Sequence, residues 1–205
     1  MTRLTAICVY CGSSEGADPA MLAAAEALGR AMAEAGVRLV YGGGNNGLMG
    51  AVARTVLAGG GRVTGIIPEF LRDRERMLEA ATDPDQLEMV VVDDMHTRKR
   101  LMFERADAFV ALPGGVGTLE ELVEQMTWIQ LDRHSKPVII ADIAGFWGPL
   151  LSLIEHMRRQ GFIRPEADVR YRVAGAVEEI LPAIRAALTR AERAGAVKTR
   201  LETPV

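Results

Sequence analysis

The chain has 205 residues, 49% hydrophobic and 25% charged, with 24 basic and 27 acidic side chains and a formal charge of -3. A chain of this length can bury most of its own apolar surface without disulfide or metal staples, and a mildly acidic balance without a basic stripe speaks against nucleic-acid binding. The opening MTRLTAICVYCGSS is too short in its apolar part for a signal peptide or a membrane span, so the expectation is one cytoplasmic domain over 1–205, with no membrane partner.

Short β-branched runs alternate with longer Ala/Leu-rich segments, which predicts an α/β, Rossmann-like doubly wound sheet, mostly parallel, of about six to seven strands with helices on both faces. The first strand, 4–10, carries Cys8 and ends at Cys11, the only two cysteines. Their odd separation points them to opposite faces of a strand. A zinc site would need further ligands, a redox pair would open a helix, and His96, His134 and His156 are far apart in sequence, so no metal is expected. A helix follows over 19–35, bracketed by Pro19 and Gly36 as start and stop signals.

Further strands are predicted at 38–41, 62–67, 87–92, 108–112 and 137–141, with a short seventh near Tyr171. The helices between and after them are predicted at 48–58, 94–106, 118–131, 148–160 and 177–194, and a frayed tail from about 195. Segment 69–86 is highly charged, contains Asp83-Pro84 and lacks a clean period. It reads as a loop with one helical turn, of the length that active-site lids have.

In such a sheet ligands bind at the carboxyl ends of the strands. Three glycine-rich segments fall there: Cys11-Gly12-Ser13-Ser14, the run from Gly42, Gly43 and Gly44 to Gly50, and Pro113-Gly114-Gly115-Val116-Gly117-Thr118-Leu119-Glu120-Glu121. Glycine lets backbone amides approach a ligand, and a helix start behind the loop adds unpaired N–H groups and a positive dipole end, which together make a phosphate cradle. The dinucleotide pattern G-x-G-x-x-G is missing after the first strand and G-x-x-x-x-G-K-[ST] occurs nowhere, so NAD and ATPase readings weaken.

Thr118 to Glu121 spells T-x-x-E. This is either a capping box, or a threonine for a phosphate and a carboxylate for chemistry. Arg98, Lys99 and Arg100 open a helix, where cations oppose the dipole unless an anion is near. Lysine is scarce, only Lys99, Lys136 and Lys198 against 21 Arg, which leaves Schiff-base chemistry with pyridoxal phosphate almost without a nucleophile.

Met95-His96-x-Arg98-Lys99 together with Pro113-Gly114-Gly115-x-Gly117-Thr118-x-x-Glu121 resembles the Lonely Guy family, the cytokinin riboside 5′-monophosphate phosphoribohydrolases, whose bacterial members were long labelled lysine decarboxylases. Cys11 to Ser14, Tyr41 to Gly44, Gly47 to Gly50 and Thr127-Trp128 add to the match, which runs from about Ile7 to Ile163. The resemblance implies hydrolysis of the N-glycosidic bond of AMP or an N6-modified AMP, without a cofactor, by a homodimer. It implies Arg98 and Glu121 as the catalytic pair. It places substrate contacts at Glu75, Lys99, Gly114, Gly115, Val116, Gly117, Thr118, Leu119, Glu120 and Thr127, joined by Ser13, Gly43 and Gly44 from the other glycine loops.

Helices around Met102 and 126–129 are candidates for the dimer interface, or else ordinary core. Val116 departs from the Tyr usual in plant members, and 76–86 is longer than theirs. The competing expectation is a non-catalytic carrier of the same fold, such as a molybdenum-cofactor carrier.

Overall fold

The computed structural model describes residues 4–78 and 85–201. Seven strands, β1 (Ala6–Tyr10), β2 (Arg38–Tyr41), β3 (Val63–Pro68), β4 (Leu87–Val92), β5 (Ala108–Ala111), β6 (Val138–Ala141) and β7 (Arg172–Ala174), form a sheet in the order β4-β3-β2-β1-β5-β6-β7. Each pairing is parallel, which sharpens the expectation of a mostly parallel sheet.

The helices are α1 (Pro19–Glu34), α2 (Gly47–Ala58), α3 (Met95–Glu104), α4 (Val116–Gln130), α5 (Gly148–Arg159) and α6 (Ile180–Leu201). Period-two alternation sorts the strand side chains into two cores. Ile7, Val9, Leu39, Val110 and Ile139 pack with α1, α2 and α6, whereas Ala6, Cys8, Val40, Phe109 and Ile140 pack with α3, α4 and α5. Cys8 and Cys11 accordingly fall in opposite layers, both buried, and burial pushes both thiols above their ordinary range.

Strand order reverses between β1 and β5, whose register sets Cys8 beside Phe109. This topological switch point leaves a crevice at the strand carboxyl ends, where the Cys11-Gly12 and Pro113-Gly114 loops meet; the Gly12 amide donates to the Pro113 carbonyl at 3.0 Å.

Three differences from the sequence reading matter. First, α4 begins at Val116 with Gly115 as its N-cap, two residues before the expected start, so Thr118 lies inside the first turn and the T-x-x-E capping box does not form. Glycine after the Pro113 loop supplies the helix entry that the threonine would supply in a capping box.

Second, the backbone of α6 is helical to Leu201, past the end expected at 194. Ala196, Lys198, Arg200 and Leu201 are good helix formers, and one Gly195 costs only about 1 kcal/mol. Third, Met102, Met126 and Ile129 are 1%, 5% and 3% exposed, so they are core and not interface.

The lid segment opens on the expected single helical turn, Glu69–Leu71. It then docks on the loop between β2 and α2: the Asn45 amide donates to the Glu75 carbonyl at 2.9 Å, and the Leu78 amide to the Gly43 carbonyl at 3.2 Å. Asp83 and Pro84 both fall in 79–84, outside the described residues.

Candidate active site

Helix α3 is capped by Asp94, whose carboxylate accepts from the Thr97 amide at 2.8 Å and the Thr97 hydroxyl at 2.9 Å. That anion offsets the dipole conflict posed by three successive cations, and each cation finds its own solution. Arg100 pairs with Glu104 one turn on. Lys99 crosses to α4, 2.5 Å from Glu120 and 3.2 Å from Glu124.

Arg98 turns inward and is 8% exposed. Its Nε donates to the Ile66 carbonyl and its Nη2 to the Gly42 carbonyl, both at 3.2 Å. Its Nη1 faces the Met95 sulfur at 3.8 Å, so every partner of this guanidinium is neutral and none cancels its charge. It therefore projects a positive field into the crevice.

Arg98 lines a cavity of about 260 Å³ with Ser13, Glu75, Glu121 and the first turn of α4. Burial raises the Glu121 pKa from 4.5 to about 7 against the lowering pull of Arg98. Among the described residues the two form no ion pair, so Arg98 acts on the carboxylate through its field. The Glu75 Oε2 atom is buried in the same cavity without a hydrogen-bond partner. An unpaired carboxylate oxygen is an acceptor that a ligand hydroxyl or a water would satisfy.

Only one of the three glycine loops is open as an anion cradle. At α1, Asp18 caps the helix and Pro19 takes the first helical position. At α2, the amides of Leu48 and Met49 donate to the carbonyls of Ser14 and Gly12 at 3.4 and 3.2 Å. At α4 the N-cap is a glycine without a side chain to accept, and the first turn bond is Leu119 N–H to Gly115 carbonyl, 3.0 Å. The amides of Val116, Gly117 and Thr118 have no acceptor among the described residues, and all three residues line the cavity.

The structure thus brings together Arg98, Glu121, Glu75, Ser13, Gly115, Val116, Gly117 and Thr118. It puts the other expected contacts elsewhere. Gly114 packs so tightly on Thr118 and the Gly12 amide that a β-carbon would overlap both. Gly43 and Gly44 anchor the lid, Gly43 through its carbonyl and Gly44 by bridging Met77.

Leu119 joins the apolar layer of α3 to α5. Lys99 and Glu120 are paired with each other, and the Thr127 hydroxyl donates to the Val123 carbonyl of its own helix at 2.8 Å. Cys11, Gly12, Met49 and Leu71 also line the cavity and were not among the expected contacts. The first three sit in quoted glycine motifs; Leu71 lies on the aperiodic lid, where no pattern singles it out. Among the described residues no group of three or more His, Cys, Asp or Glu is arranged to hold a metal ion, and no helix is long and apolar enough to cross a membrane.

Residues 49–184 match the family model described as "Possible lysine decarboxylase". The chain is 46% identical over 166 residues to the probable cytokinin riboside 5′-monophosphate phosphoribohydrolase LOGL2 of Oryza sativa subsp. japonica, covering 81% of this chain and 66% of that relative. The match thus spans just under two thirds of the rice protein's length. It is 44% identical over 179 residues to the cytokinin riboside 5′-monophosphate phosphoribohydrolase of Rhodococcoides fascians, covering 87% and 88%. A similar solved structure is the molybdenum cofactor binding protein from Rippkaea orientalis, with a TM-score of 0.64, 23% identity, and coverage of 92% of this chain and 99% of that one. That last likeness speaks to fold alone.

Proposed function

The chain belongs to the Lonely Guy family of cytokinin riboside 5′-monophosphate phosphoribohydrolases, and on that premise we propose that it hydrolyses the N-glycosidic bond of a nucleoside 5′-monophosphate, AMP or an N6-modified AMP. The products are the free base and ribose 5-phosphate. The observation that carries this reading is the sharing of one cavity by Arg98, Glu121 and the open amino end of α4.

The phosphate sits on the amides of Val116, Gly117 and Thr118, where the helix dipole favours an anion. This directs C1′ of the ribose toward Glu121. As the bond from C1′ to the base nitrogen lengthens, positive charge grows on C1′ and the ring oxygen, and a carboxylate there stabilises the transition state more than the ground state. A water adds its oxygen to C1′, and the base leaves with the bonding electron pair and takes a proton. Glu121, with a pKa of about 7, is able to accept the proton of that water near neutral pH. Arg98 holds down the pKa of Glu121 and meets substrate oxygens, and the unpaired Glu75 oxygen accepts from a ribose hydroxyl.

The decarboxylase description of the family model finds little support in Lys99 and Lys136, the lysines whose side chains are described. Lys99 is tied to Glu120 and Glu124, and Lys136 donates to the Phe103 carbonyl at 2.7 Å; neither lines the cavity. We also propose a homodimer that uses the outer face of α4, where Val116, Val123 and Leu131 are exposed. The test of the activity is chromatographic detection of free base from AMP and N6-isopentenyl-AMP, without added metal, by the wild type and by Glu121→Ala and Arg98→Ala. Base release is expected from the wild type and lost in both variants.

A further inference from the structure

A second, larger cavity of about 760 Å³ lies at the other end of the sheet, under the amino ends of β6 and β7, and shares no residue with the catalytic cavity. Its walls come from the last turn of α4, the segments entering β6 and β7, and the 187–191 face of α6. Lys136, Arg170, Arg172 and Arg190 line it, and among the described residues no Asp or Glu does. The nearby acids Asp132, Glu166 and Asp168 line a separate, smaller cleft instead, which Arg170 borders from the other side.

The four cations differ in commitment. The Lys136 ammonium is spent on the Phe103 carbonyl and lies 4.0 Å from the centre of the Phe103 ring. Arg170 stands 3.5 Å from Asp132, with both side chains in water, a pair worth little. Arg172 and Arg190 have no carboxylate partner among the described residues. Like charges gathered in one concavity raise the energy of the site unless an anion enters it. Apart from Ser135 the rest of the wall is largely apolar, with Ile129, Val138 and Ala187 beside Tyr171.

We propose that this cavity is a second, non-catalytic binding site for a small phosphorylated molecule with a flat, ring-bearing body. Arg172 and Arg190 take the phosphate, since paired guanidinium N–H groups match phosphate oxygens in charge and geometry. The ring lies over these apolar side chains, and Ser135 offers a hydroxyl at the rim. A volume in the range of roughly 300–1,000 Å³ suits a ligand of nucleotide size.

Phenyl phosphate is the probe, because it carries the ring and the phosphate but no glycosidic bond. Titrated into the full chain and followed by amide resonances, it is expected to shift Val138, Tyr171 and Ala187 saturably. The double variant Arg172→Ala/Arg190→Ala should weaken that binding by about tenfold or more, with base release from AMP unchanged. Arg190→Glu, at an exposed helical position, should abolish it if the strand substitution disturbs folding. Shifts confined to residues 115–118, no saturable shift at the three amides, or equal affinity in the variants would overturn the proposal. Loss of base release in a folded double variant would also overturn it, whereas absence of base release from the wild type would bear on the catalytic reading alone.

Discussion

The Nη2 atom of Arg98 donates to the Gly42 carbonyl at 3.2 Å, and a β-carbon at residue 42 would occupy the same space as that nitrogen. The glycine after β2 is therefore a seat for a guanidinium. Gly42→Ala forces Arg98 out of its seat, because the neighbouring clash is with the functional group itself. Base release should fall about 10²-fold, the scale for losing one preorganised charge contact. The combination with Arg98→Ala should be no worse than Arg98→Ala alone, as double-mutant kinetics would reveal.

In the proposed mechanism the acid limb of activity follows Glu121. Its pKa of about 7 is that of the free enzyme, so kcat/KM should rise with pH through about 7 and level off above it. Arg98 lowers this pKa, so Arg98→Gln should move the limb to higher pH. Profiles measured on both proteins check the direction of the shift.

Folding stability carries the same signature with a defined sign. The folded chain holds the Glu121 proton up to about pH 7, whereas the unfolded chain releases it near 4.5. Folding takes up a proton between those values, so this carboxyl favours the folded state less as pH rises, and its cost is complete above 7. Glu121→Gln, neutral throughout, should exceed the wild type in stability by about 1–3 kcal/mol at about pH 8 and lose that advantage at about pH 4. Urea denaturation at the two pH values measures it.

Much of this was legible in the chain. β-branched runs separated by Ala/Leu-rich stretches specify buried parallel strands and their covering helices, and both cysteines fell on opposite faces as their spacing requires. Arg98 and Glu121 were legible as motif residues, but their shared cavity depends on β1 and β5 being neighbours, a pairing across about a hundred residues. The false capping box had a physical origin: T-x-x-E satisfies the local rule, yet Gly115 opens the helix two residues earlier and hides Thr118 in the turn. The fate of Lys99 was invisible for a similar reason, since its partners Glu120 and Glu124 lie on another helix.

The Lys99–Glu120 pair ties α3 to α4 one residue from each member of the proposed catalytic pair, Arg98 and Glu121. Lys99→Met should lower kcat and leave the fold intact. A cycle with Glu124→Gln should give a coupling of about 0.5–1 kcal/mol, typical of partly exposed ion pairs. Additive effects in thermal melts and in kcat would show that the tie is idle.

The most direct measurement is paired quantification of adenine and ribose 5-phosphate from AMP by the wild type and by Glu121→Gln, whose shape is unchanged and whose charge is gone. The account predicts equimolar products from the wild type and a fall of about 10³-fold or more in kcat for the variant, with binding of AMP retained. Equal rates in the two proteins, or release of inorganic phosphate in place of adenine, would contradict it.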